Sequence, residues 1–104
     1  MAQREVIELL KRYIFILRSE GINIYKAFLY GSYLTNTASD ESDIDLMIVT
    51  EDESNDFVAG RIWSLTKKVN TKIEPYLVGR TRFDANDDSP LIDLVRKNGL
   101  EIVL

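Results

Sequence analysis

Cysteine and histidine are both absent from the 104-residue chain. The first absence excludes a disulfide framework, a thiolate zinc site and a cysteine nucleophile. The second removes imidazole bases and histidine metal ligands. Acid–base and metal chemistry is thereby left to carboxylates, to hydroxyls or to a partner. Proline occurs twice and glycine five times, and no stretch reads as a linker, a low-complexity tract or an internal repeat. No apolar run approaches the ~18 residues that a spanning helix requires. The start, Met1-Ala2-Gln3-Arg4-Glu5, lacks the apolar segment of a signal peptide. The expectation is a cytoplasmic protein without membrane contact. An excess of positive charge is lacking too. Thirteen Lys and Arg stand against seventeen Asp and Glu, a formal charge of -4. Strong nucleic-acid binding is not expected, because phosphate backbones call for a basic footprint.

What is present fits a single globular domain over residues 1–104 with one continuous core: 45% of the residues are hydrophobic and 10% aromatic. Residues 3–20 carry Val6, Leu10, Tyr13 and Leu17 at helical spacing, with Glu8 and Arg12 placed to pair and Gly21 as the stop. Residues 24–30 read as a strand covered on both sides, Ala27 and Leu29 on one face, Phe28 and Tyr30 on the other. A short helical turn at 32–37 and a polar loop at 39–42 lead to a second strand at 43–50. A helix is expected at 55–69, capped by Ser54, with Phe57, Val58, Ile62, Leu65 and Val69 as its buried stripe. A third strand follows at 72–78. Residues 80–88 read as a polar loop whose aspartates cap and solvate. Ser89-Pro90 opens a helix that Asn98-Gly99 ends, and residues 100–104 read as a short closing strand. Tyr13, Tyr25, Tyr33 and Trp63 read as packing residues. This alternation predicts an α/β (α+β) fold with a central sheet.

The chemistry concentrates in Gly31-Ser32, a gap of ten residues, and Asp43-Ile44-Asp45. Residues i and i+2 of a strand point to one face about 6.6 Å apart, so the two aspartates project together. Adjacent carboxylates repel unless a cation or proton lies between them. Magnesium favours such oxygen ligands and combines one or two carboxylates with substrate phosphates. Gly31 lets backbone approach a ligand closely, and Ser32 adds a donor at a turn suited to phosphate oxygens. Glu74, in Lys72-Ile73-Glu74-Pro75-Tyr76, offers a third carboxylate. If its strand lies beside 43–50, it faces the aspartates and can ligate metal or take a hydroxyl proton.

Tyr30-Gly31-Ser32-Tyr33, the gap, and Ser42-Asp43-Ile44-Asp45-Leu46 together resemble the Gly-Ser…Asp-x-Asp signature of the minimal nucleotidyltransferases, in the DNA polymerase β-like superfamily. The stretches Ile73-Glu74-Pro75, Ser89-Pro90-Leu91-Ile92 and Asn98-Gly99-Leu100-Glu101-Ile102 are similar to such domains as well. The resemblance implies the polymerase β-like fold, a mixed sheet flanked by helices. It implies Mg²⁺ (two ions) and ATP as substrate. Gly31 and Ser32 would hold phosphate, and Asp43, Asp45 and Glu74 would be the catalytic and metal-ligating carboxylates. Small members of this kind pair as antitoxins with all-helical HEPN-type toxins and transfer AMP to a toxin tyrosine. The alternative it implies is a catalytically weak or inactive antitoxin that neutralises its partner by complex formation. Many relatives carry a basic residue and a glycine soon after Gly-Ser; Tyr33-Leu34-Thr35-Asn36-Thr37 supplies neither. Arg61, Lys67, Lys68 and Lys72 remain to meet phosphate charge, although each reads first as a solvated residue.

Overall fold

The computed structural model describes residues 1–51, 56–85 and 89–104. Along the chain run α1 (Gln3–Ser19), β1 (Ile24–Tyr30), α2 (Ser32–Thr35), β2 (Ile44–Thr50), α3 (Asp56–Leu65) with a 3₁₀ turn (Thr66–Lys68), β3 (Ile73–Gly79), α4 (Arg80–Asp84), α5 (Pro90–Asn98) and β4 (Leu100–Glu101). Among the described residues the strands form one sheet in the order β3-β2-β1-β4. β1 pairs antiparallel with both β2 and β4, and β2 pairs parallel with β3. The sheet is therefore mixed and flanked by helices. The hydrogen bond from Ile102 N to Ala27 O, 2.8 Å, carries the last strand's pairing one residue further.

β2 is central because its side chains are apolar on both faces from Leu46 to Val49, all fully buried. Alternation then divides the core in two. Ala27, Leu29, Ile44, Leu46, Ile48 and Ile73 meet the helical stripe of α1 and the inner side of α3. Phe28, Met47, Val49 and Val78 meet Phe83 of α4 and Ile92 and Val95 of α5. Fully burying each such side chain is worth roughly 1.5–3 kcal/mol. On the first face the Tyr13 hydroxyl donates to the Ile62 carbonyl at 2.5 Å and ties α1 to α3. On the second, Phe28 and Phe83 stack with centroids 5.5 Å apart.

Helix ends follow local chemistry. Gly21 takes φ 85° after α1, where an L side chain is strained. Ser89 caps α5 by accepting from Ile92 N, with Pro90 in the first turn. Gly99 is required for room rather than for φ: a Cβ there would lie 2.6 Å from the Val95 carbonyl oxygen. Several expectations change. Residues 80–84 are helical, because Phe83 is drawn into the second core and turns the polar stretch around itself. Phe57 is exposed rather than part of a buried stripe, and Trp63 is about half exposed. Glu8 pairs with Lys11, one residue nearer than Arg12, at 3.5 Å. The expected cap Ser54 and Asp87 and Asp88 lie outside the described residues.

Candidate active site

The site grows from one row across the sheet. Tyr30 on β1 stands opposite Asp45 on β2, and Asp45 stands opposite Glu74 on β3. One pleat further along lie Phe28, Met47 and Tyr76. All of these belong to the second face. Its far part is covered by α4 and α5. At the near part Asp43 and Glu74 are exposed and Asp45 is half-buried. The carboxylates thus occupy an open shelf continuous with an apolar core.

Four of the five expected residues are shown in proximity, Gly31 against Asp45 and the three acids within reach of one another's charge, and Ser32 follows Gly31 in the chain. Gly31 follows directly on β1 and adopts φ 79°, ψ -154°, a region essentially reserved for glycine. A Cβ at this position would lie 2.2 Å from Asp45 Oδ2. The Asp45 carboxylate therefore packs on the bare Cα of Gly31, which joins the turn to the acidic strand. Ser32 is half-buried at the start of α2. Gln3 holds that short element in place, its Nε2 donating to the Tyr33 and Leu34 carbonyls at 3.0 Å each. Tyr33 itself is buried in the first core, facing away from the shelf. On the acidic side, Ser39 N donates to Ser42 Oγ at 2.9 Å and Ile44 N donates to the Lys72 carbonyl at 2.8 Å. These bonds set the approach of Asp43 to the sheet.

The carboxyls sense one another. Glu74 is pushed up from the ordinary carboxylate range first by the charge of Asp43, with slight desolvation, the charge of Asp45 and a hydrogen bond shared with Asp43 adding to it. Asp45 is pushed up by burial and then by Asp43. Burial, followed by the charges of Asp45, Tyr76 and Glu74, lifts the Tyr30 phenol to about 12. Three acids with mutual repulsion and oxygen donors alone suit a hard divalent cation, which would relieve the repulsion. Among the described residues no acidic trio stands ready as a complete ion cage.

Residue-type reasoning missed the two phenols. Tyr30 and Tyr76 stand half-buried beside the acids. Their parity with Asp45 and Glu74 was the available signal.

A mixed sheet thus carries paired acids beside a glycine turn. The chain matches the family described as Polymerase beta, Nucleotidyltransferase over residues 8–99, and it belongs to that family. None of the curated proteins compared with it matches. A crystal structure described as a "putative nucleotidyltransferase" from Sulfolobus solfataricus shares the fold, with a TM-score of 0.60 at 20% identity. The match covers 80% of this chain and 75% of that one.

Proposed function

We propose that this nucleotidyltransferase moves AMP from ATP to a tyrosine hydroxyl of a small all-helical HEPN-type toxin, and so serves as an antitoxin. The observation that carries the transfer reading is the meeting of Asp43, Asp45 and Glu74 on one sheet face, with Asp45 packed on Gly31. The acceptor and partner rest on the resemblance of the Gly-Ser…Asp-x-Asp signature to the minimal domains.

In this reading Gly31 and Ser32 receive the phosphates, and Asp43, Asp45 and Glu74 are the ligands for Mg²⁺. When bound, the metal would neutralise phosphate charge and favour departure of pyrophosphate. The acceptor oxygen forms a bond to the α-phosphorus, the bond from that phosphorus to the bridging oxygen breaks, and pyrophosphate leaves with the electron pair. Glu74 lies on the edge strand and is exposed. In this reading it takes or orients the hydroxyl proton. The shelf's openness suits a macromolecular acceptor, since nothing on the described second face closes over Glu74.

The test uses α-labelled ATP, Mg²⁺, the purified chain and a small all-helical HEPN-type protein as acceptor. Label should pass to the helical protein, and Asp43→Asn or Asp45→Asn should reduce it by about 100-fold or more. Equal labelling by these variants removes the proposed site. A second reading, neutralisation by complex formation alone, draws on the exposed Phe15, Phe57 and Trp63. It predicts neutralisation by the same variants without any label.

A further inference from the structure

We infer that Lys72 is the cation that meets the nucleotide's phosphates at this site, in place of any basic residue beside the Gly31-Ser32 turn. The inference rests on the nucleotide-binding reading above and asks how an acidic shelf tolerates a polyanion. Three carboxylates and a triphosphate repel one another strongly, and a divalent ion offsets only part of that charge. The turn that follows Gly31-Ser32 holds no Lys or Arg from Tyr33 to Thr37. Positive charge must come from elsewhere in the fold.

Lys72 immediately precedes β3, in step with Glu74 and Tyr76 by strand alternation. Lys72 and Asp43 each directly precede their strands, the pairing of Ile44 with Ile73 sets them side by side, and the Lys72 carbonyl accepts from Ile44 N. The Lys72 side chain is partly covered, and Nζ donates to the Asp40 carbonyl in the loop that delivers Asp43. That partner is neutral, and no described carboxylate forms an ion pair with Nζ. The ammonium charge is thus held on the loop that delivers Asp43, outside any ion pair among the described residues. Lys67 and Lys68 are exposed on the 3₁₀ turn that follows α3, and two arginines are engaged elsewhere. Arg61 pairs with Glu20 on the α1–α3 side at 3.5 Å. Arg80 pairs with Glu51 at 2.8 Å and lies 3.9 Å from the centroid of the Tyr25 ring, beyond the far end of β2. A lysine serves phosphate as a compact point charge with three rotatable donors, so it can turn from a carbonyl to a phosphate oxygen.

The competing role is a mere tether for the 39–42 loop. Lys72→Gln separates the two, because glutamine still donates to a carbonyl but carries no charge. Lys72→Arg keeps the charge. Calorimetric titrations of MgATP and of adenosine into the whole chain, at two salt concentrations, read the difference. Lys72→Gln should bind MgATP about tenfold more weakly than wild type, with a shallower salt dependence, while Lys72→Arg stays within about threefold. Adenosine affinity should be the same in all three. Wild-type affinity for MgATP in Lys72→Gln overturns the inference and leaves the nucleotide reading standing. So does equal weakening by Gln and Arg when both variants retain wild-type circular dichroism, since that marks a tether. Absence of MgATP binding by the wild type overturns the nucleotide reading itself.

Discussion

One face of the sheet is sealed by α1 and α3 from Ile44 to Ile48, with Leu46, Ile48, Leu10 and Ile62 wholly removed from solvent. The other is sealed by α4 and α5 over Phe28, Met47, Val49 and Val78, and its remaining stretch carries Asp45, Glu74, Tyr30 and Tyr76. The strands are the same; the covering differs. A strand alternates its side chains with a period of two, so a single segment can supply an oily stripe to one side and an acidic row to the other. Stability is concentrated on the first face, and the second face carries the chemistry where its helices stop.

That contrast can be broken in three places. The largest effect belongs to Leu46→Ala, which empties a site with no solvent exposure on the central strand. It should cost about 2–5 kcal/mol in denaturant unfolding. Nucleotide affinity of the molecules still folded should stay unchanged; a parallel loss of affinity would show that the two faces are not separable. Gly31→Ala comes next and strikes where the faces join. It combines a positive φ with a Cβ driven into Asp45 Oδ2, and should cost about 1–3 kcal/mol together with a loss of MgATP affinity. Unchanged stability and binding would mean that Asp45 is not seated on the glycine.

The smallest effect has the opposite sign. Asp45 and Glu74 both bind their protons more tightly in the folded chain than ordinary carboxyls do. Their contribution to stability is therefore complete below the ordinary carboxylate range and is lost as pH rises through the raised values. Asp43 contributes to both shifts. Asp43→Asn, without added metal, should flatten that loss and raise the melting temperature at neutral pH by about 1–3 °C. A fall in melting temperature, or an unaltered pH profile, would show that the acids do not repel one another in the folded chain.

Much of this was legible before any coordinates. Ala27 and Leu29 oppose Phe28 and Tyr30 because adjacent apolar residues in a strand must face opposite ways, and the two cores divide them so. Glu74 meets the aspartates because the parallel register sets it beside Asp45. What misled was context. Phe57 carries a hydrophobic label, yet α3 turns it to solvent. The polar run from Arg80 hid a helix whose formation depends on a place for Phe83 in a core built by distant residues.

Local periodicity and residue chemistry by themselves determined the order of all elements but α4, the sidedness of the strands and the identity of the acids, since each follows from nearest-neighbour geometry along the chain. Only the tertiary structure decided the rest: that β3 lies parallel beside β2, that Asp45 rests on Gly31, and that Lys72 Nζ bonds the Asp40 carbonyl in the loop that delivers Asp43. Those facts depend on strand order and register, which arise from contacts between segments tens of residues apart and leave no local trace.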